Sequence, residues 1–277
     1  MPHTSHGGVR IWWEEHGAGD PLLLIMGLGA TLEWWNRLQP SLTPRYRTIL
    51  FDNRGVGRSD VPPGPYSIPV MADDALAVVD AAGVTAAHVV GLSMGGYIAQ
   101  ELALRHPGRV RSLVLGCTSC GGREAVRAAP EVAAALSARV KVPLADAMWG
   151  MVPYTFDAST PRQAVAEDLA MRLRAAVSDD GYFAQLQAIR AWPGSHDRLS
   201  AIAAPTLVIH GETDQLVPPE NSRILARAIP NVRLVMLPHA SHIFLTDQLE
   251  PARDAILAFL SGPAEAGHYG NAGRAEA

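Results

Sequence analysis

The run Ala87-His88-Val89-Val90-Gly91-Leu92-Ser93-Met94-Gly95-Gly96-Tyr97-Ile98-Ala99-Gln100-Glu101-Leu102-Ala103 decides how the chain folds. Its first part is apolar and β-branched and reads as a buried strand, and its last part has the spacing of a helix. Between them stands Gly-x-Ser-x-Gly, the pattern of a tight strand-to-helix turn that lifts a serine hydroxyl above the edge of a sheet. Side chains two residues before and after the serine would collide in such a turn, and glycine at 91 and 95 removes them. The pattern alone also fits a glycine-rich turn that packs or binds phosphate. The strand before it and the helix after it favour a nucleophile, Ser93.

Outward from this turn, apolar runs recur at Val9 to Glu15, Pro21 to Met26, Arg47 to Phe51, Val110 to Gly116, Pro205 to Ile209 and Val232 to Leu237. Near-continuous Val, Ile and Leu suits strands covered on both faces. Helical patterns at Val70 to Ala82, Met94 to His106, Glu220 to Ala228 and Pro251 to Leu260 alternate with them. The expected fold is therefore α/β, a mostly parallel central sheet flanked by helices. Between about Ser119 and Arg198 no strand is legible. Arg123 to Val140, Leu144 to Met151, Pro161 to Val177 and Asp180 to Ala191 read as helices, and the stretch is too long for one crossover. The expected division is a core of residues 1–120 and 199–262, a helical cap of residues 121–198, and a Gly- and Ala-rich tail of residues 263–277 that reads as disordered.

A serine hydroxyl needs a base, and the base needs a group that fixes its tautomer. After the strand ending at Ile209 comes His210-Gly211-Glu212-Thr213-Asp214, and after the strand ending at Leu237 comes Pro238-His239-Ala240-Ser241-His242. Loops at the carboxyl ends of parallel strands face the ligand side of such a sheet. The chain order serine, acid, histidine selects Asp214 and His242, with Glu212 and His239 as rivals on the same loops. The strand ending at Gly116 is followed by Cys117-Thr118-Ser119, which offers no acid. An oxyanion hole requires two backbone N–H groups. One is assigned to Met94; the other is assigned to the loop Met26-Gly27-Leu28-Gly29-Ala30, at Leu28, a loop that also reads as a plain turn.

The bulk properties agree with a small-molecule enzyme. The 277 residues are 48% hydrophobic and 18% charged, with a formal net charge of −4, which supplies a large core and no basic footprint for nucleic acid. Two cysteines, Cys117 and Cys120, exclude a disulfide framework and read as packing residues rather than a redox pair. No signal-like or membrane-spanning run is visible, so the expectation is a cytoplasmic protein with no membrane partner. No His, Asp, Glu or Cys cluster has metal-ligand spacing, and Gly27-Leu28-Gly29 lacks the third glycine of a dinucleotide fingerprint, so neither metal nor cofactor is expected.

These residues together resemble the α/β-hydrolase superfamily, from about Val9 to Leu260, with the cap as its most variable part. Asp52-Asn53-Arg54-Gly55-Val56-Gly57-Arg58-Ser59 is similar to that family's D-x-R-G-x-G-x-S loop. Ile25-Met26-Gly27-Leu28-Gly29 and Asp52-Asn53-Arg54 look most like its methylesterase-like and enol-lactonase-like branches. Many members carry His where Met26 stands, which bears on loop anchoring and subfamily but leaves a backbone donor intact. The resemblance implies serine-dependent hydrolysis of a small carboxylic ester through an acyl-enzyme. Lactone or carbon–carbon bond hydrolysis, cofactor-free perhydrolase or haloperoxidase chemistry, and a ligand receptor on the same fold are the alternatives. Trp34, Trp35, Met94, Trp149, Tyr154 and Phe156 are the expected pocket wall, with plain packing as the other reading of each.

Overall fold

The computed structural model describes residues 3–138, 141–174 and 177–262. Eight strands form one sheet: β1 (His3–His6), β2 (Val9–His16), β3 (Asp20–Ile25), β4 (Tyr46–Phe51), β5 (Ala87–Leu92), β6 (Val110–Gly116), β7 (Thr206–Gly211) and β8 (Val232–Leu237). Their order is β1-β2-β4-β3-β5-β6-β7-β8. The β1–β2 and β2–β4 pairs are antiparallel and the rest parallel. Strand β5 therefore lies in the interior of the sheet, between β3 and β6, and its carboxyl end carries the serine turn.

Ten α-helices are assigned among the described residues: α1 (Gln39–Leu42), α2 (Ile68–Ala81), α3 (Met94–Arg105), α4 (Pro130–Ala138), α5 (Leu144–Thr155), α6 (Arg162–Arg172), α7 (Asp179–Ala191), α8 (Glu220–Ala228), α9 (Phe244–Asp247) and α10 (Leu249–Leu260). Two apolar layers clamp the sheet, and side-chain alternation along each strand feeds both. On β3, Leu23 and Ile25 join the layer that contains α2 and α3, whereas Leu22 and Leu24 join the layer that contains α10. All four are fully buried, which is why the strand reads as an unbroken apolar run.

Helices α4 to α7 all fall between β6 and β7, in the stretch expected to be helical. Three bounds differ clearly from expectation, one being the end of α6, at Arg172 rather than Val177. Helix α4 starts at Pro130 rather than near Arg123, because a glycine pair with positive φ, Gly121 and Gly122, opens a turn-rich approach. Helix α5 runs on through Pro153 to Thr155. Strand β1, His-Thr-Ser-His, was not anticipated. It has no apolar residue, and edge strands are held by ladder bonds to one neighbour rather than by burial. The tail expected to be disordered lies outside the described residues. None of the described helices is long and apolar enough to cross a membrane.

Candidate active site

Ser93 sits between β5 and α3 with φ 55° and ψ −120°. An L-residue reaches that region only under strain, and the surroundings impose it. A Cβ at Gly91 would lie 2.3 Å from the Gly95 carbonyl oxygen, and a Cβ at Gly95 would lie 2.1 Å from that of Ile25. The first collision is the one anticipated across the turn. The second is with the end of β3, so Gly95 also lets α3 close onto the neighbouring strand. Ser93 occupies the N-cap position of α3 without its side chain capping the helix. Its hydroxyl is engaged elsewhere.

That partner is His242, whose Nε2 lies 3.1 Å from Ser93 Oγ. His242 Nδ1 lies 2.8 Å from Asp214 Oδ2. Asp214 is buried and its Oδ1 accepts the N–H groups of Leu216 (2.9 Å) and Val217 (2.8 Å). Burial alone would push its carboxyl up. The charge of His242 and hydrogen bonds from His210 and His242 outweigh that and hold it down to about 2. An ionised Asp214 accepts from Nδ1–H of His242, which leaves Nε2 with a lone pair facing the serine hydroxyl. The rivals lie apart: Glu212 and His239 are exposed and neither touches this chain of contacts.

His210, near the end of β7, is fully buried beside the acid. Its Nε2 lies 3.0 Å from Asp214 Oδ2 and 2.9 Å from the Val217 carbonyl, and its Nδ1 meets the Ser222 hydroxyl. With Nδ1 accepting from Ser222, Nε2–H is free to donate to Asp214. Two imidazoles thus fix one carboxylate oxygen.

The glycine loop after β3 presses against the serine, since a Cβ at Gly27 would lie 3.0 Å from Ser93 Cβ. Its N–H groups divide cleanly. Gly29 N–H donates to Gln185 Oε1 of α7 (2.9 Å) and Ala30 N–H to the Gly27 carbonyl (3.3 Å). Neither Leu28 nor Met94 N–H has an acceptor among the described residues. The loop is anchored where the sequence put an odd residue: Asn53 Nδ2 donates to the Met26 carbonyl (3.0 Å). Buried Asp52 accepts from Leu32 N–H (2.8 Å) and Arg58 N–H (2.9 Å), so the Asp52–Ser59 loop braces the Gly27–Ala30 loop.

Over Ser93 and His242 lies a mostly apolar cavity of about 350 Å³, walled by the glycine loop and by helices α5 to α7. Trp34, Met94 and Phe156 line it as expected. Trp35, Trp149 and Tyr154 do not. Trp35 is fully buried in the sheet layer below, because the 3₁₀ turn Leu32–Trp35 sends the two adjacent tryptophans to different sides. Trp149 is 40% exposed on the outer side of α5, with the Arg162 guanidinium 5.7 Å from its ring centroid. Tyr154 belongs to the last turn of α5 and contributes its carbonyl to the Ser241 hydroxyl rather than its ring to the cavity. Cys117 and Cys120 are both free and buried, and burial pushes the Cys117 thiol well up and that of Cys120 up to about 11. That fits packing residues, not a reactive pair.

Residues 20–248, which carry strands β3 to β8 and the loops at the carboxyl edge of the sheet, match the family described as alpha/beta hydrolase fold. This chain is an α/β-hydrolase. Among similar proteins, RutD of Azorhizobium caulinodans, a carbamate hydrolase by name, is 33% identical over 94% of this chain and 98% of its own. The poly(3-hydroxyalkanoate) depolymerase of Ectopseudomonas oleovorans is 32% identical over 87% and 84%. The crystal structure of the enol-lactonase from Burkholderia xenovorans superposes with a TM-score of 0.82 at 28% identity, covering 94% of this α/β-hydrolase and all of the enol-lactonase. Among the described residues of this α/β-hydrolase, no group of three or more His, Cys, Asp or Glu is arranged to hold a metal ion.

Residues of the stretch between β6 and β7 reach both loops of the site, and sequence reading named none of them. Gln185 holds Gly29 and donates to the Arg54 carbonyl (2.8 Å). The Thr155 carbonyl accepts Ile243 N–H (2.8 Å), and Asp157 accepts the Thr213 hydroxyl (2.7 Å). Asp247 accepts Ser241 N–H (2.7 Å) and the Thr160 hydroxyl (2.6 Å). A polar residue on an amphipathic helix carries no sequence signal of the backbone group it will meet.

Proposed function

We propose that this α/β-hydrolase cleaves a small carboxylic ester through a covalent acyl-serine, with Ser93 as nucleophile, His242 as general base and Asp214 as the acid that orients His242. The observation that carries this reading is the unbroken relay of 3.1 Å from Ser93 to His242 and 2.8 Å from His242 to Asp214. Ser93 Oγ attacks the carbonyl carbon while its proton passes to His242 Nε2. The tetrahedral oxyanion takes the N–H groups of Leu28 and Met94, which the fold leaves without other acceptors. Collapse expels the alcohol, protonated by His242, and leaves Ser93 acylated. A water then gives its proton to His242 and attacks the acyl carbon, releasing the acid and restoring the hydroxyl.

The cavity volume suits a small substrate, and its apolar wall suits an uncharged reacting end. No metal or organic cofactor enters these steps. Carbamates and lactones pass through the same tetrahedral geometry, so the names of the relatives are compatible with this site. The test is covalent labelling by a fluorophosphonate probe, followed by turnover of an ester, lactone and carbamate panel. The expected outcome is stoichiometric labelling that disappears in Ser93→Ala. Undiminished labelling in that variant would remove Ser93 from the role.

A further inference from the structure

One corner of the cavity is not apolar. Arg37, from the segment after the Leu32–Trp35 turn, and Asp168 and Arg172, from α6, line the same cavity as Ser93 and His242. Arg172 donates its Nε–H to Asp168 Oδ2, and its guanidinium carbon stacks 3.9 Å from the ring centroid of Trp34. Asp168 Oδ1 accepts the Thr246 hydroxyl (2.9 Å) and lies 3.7 Å from Arg37 Nε. The Arg172 side chain is only 9% exposed and that of Asp168 only 2%.

The cluster is unbalanced in two ways. Two guanidinium groups face one carboxylate, which leaves one positive charge uncompensated beside an apolar wall. Arg172 is nearly buried and Arg37 half-buried, and an excess charge so placed is stabilised when an opposite charge joins it. The hydrogen bonds are short of acceptors in the same direction. Each Asp168 oxygen already accepts one hydrogen bond, whereas Arg37 Nε, in ion-pair but not hydrogen-bond range of Asp168, and Trp34 Nε1 are buried with no hydrogen-bond partner. The Nη groups of Arg172 have no acceptor among the described residues. A purely structural ion cluster would close on itself. This one lacks an acceptor of negative charge, and planar guanidinium donors match a carboxylate best.

We propose that Arg37 and Arg172 form a carboxylate subsite in the cavity above Ser93, and that the ester turned over there carries a carboxylate at its non-reacting end. The inference rests on the Ser93 hydrolase reading given above. The subsite spans the seam between the segment after β3, which supplies Trp34 and Arg37, and α6, which supplies Asp168 and Arg172. A bound carboxylate would add a bridge across that seam next to the reacting centre.

The experiment compares kcat/KM for monomethyl glutarate with that for its uncharged dimethyl ester, corrected for the two equivalent ends of the diester. The expected ratio exceeds about 10 in the native enzyme, the scale of a hydrogen bond to a charged group. It falls toward 1 in Arg172→Met. It also falls in Arg37→Met, which leaves the Arg172–Asp168 pair intact and reads the subsite if the first variant fails to fold. A second measurement needs no turnover: glutarate should slow fluorophosphonate labelling of Ser93 at concentrations where the uncharged glutaramide does not. A native ratio near 1, a ratio unchanged in both variants, or equal protection by the two additives overturns the subsite. Loss of labelling at Ser93 itself would instead overturn the hydrolase reading, so the two failures are separable.

Discussion

Gln185→Leu isolates the grip of α7 on the glycine loop. Gln185 is fully buried, and its amide makes two hydrogen bonds to main chain, one from Gly29 N–H at 2.9 Å and one to the Arg54 carbonyl at 2.8 Å. Leucine nearly matches its volume, so the cavity contribution is small and the polar loss dominates. An orphaned buried N–H and an orphaned buried C=O cost about 1–3 kcal/mol each, which places the loss of folding stability at about 2–6 kcal/mol. The catalytic consequence follows from position. Gly29 is next to Leu28, the proposed oxyanion donor, and losing one such donor outright costs about 10²–10³ in rate. A loosened rather than deleted donor should lower kcat by about tenfold or more. KM should change much less, because the contact strengthens only as the oxyanion forms. Urea denaturation reads the first quantity and steady-state ester hydrolysis the second. Stability within about 0.5 kcal/mol of native, together with kcat within twofold, would refute the assignment of Gln185 as a positioning residue.

Other consequences are open to direct measurement. Gly95→Ala puts a methyl 2.1 Å from the Ile25 carbonyl oxygen and 2.9 Å from that of Met26, so α3 must shift away from β3; the expected outcome is a lowered melting temperature and loss of fluorophosphonate labelling, and a native-like variant on both counts would contradict the packing at the turn. For Glu101, burial pushes the carboxyl up, but hydrogen bonds from Arg198 and Trp192 outweigh it and hold it below the usual glutamate range. A carboxyl depressed on folding contributes stability above its unfolded pKa of about 4.3 and loses it as pH falls through the lower folded value. Chemical denaturation of Glu101→Gln against the native protein should therefore show a difference that is constant at neutral pH and shrinks below about pH 4; a difference that grows on acidification would reverse the sign.

The parts of the fold that were legible in the sequence are those where one physical requirement excludes most residue types. Interior parallel strands need apolar side chains on both faces, and β3, β5, β6 and β7 announce themselves for that reason. The serine turn needs glycines where backbones nearly touch, and the distances at Gly91 and Gly95 show how little room there is. Asp214 and His242 follow from standing at carboxyl ends of neighbouring strands, β7 and β8. Legibility fades where many residue types would serve. The edge strand β1 makes no demand for burial. Tryptophan says that a surface will be covered but not which one, so Trp34 reaches the cavity while Trp35 enters the core. Gln185, His210 and Asp247 act through hydrogen bonds to main-chain and side-chain groups that only the assembled fold brings within reach.

The ties from Gln185, Thr155 and Asp157 to the two loops beside Ser93 bear on how such an enzyme can diversify. Exchanging the region between β6 and β7 for that of a relative would swap the cavity wall and, at the same stroke, cut the struts of the reaction centre. A transplanted segment that brings no amide opposite Gly29 and no acceptor opposite Thr213 would arrive with a new wall over a slackened engine. Recombination within this lineage should therefore succeed as blocks in which helices and the loops they brace travel together.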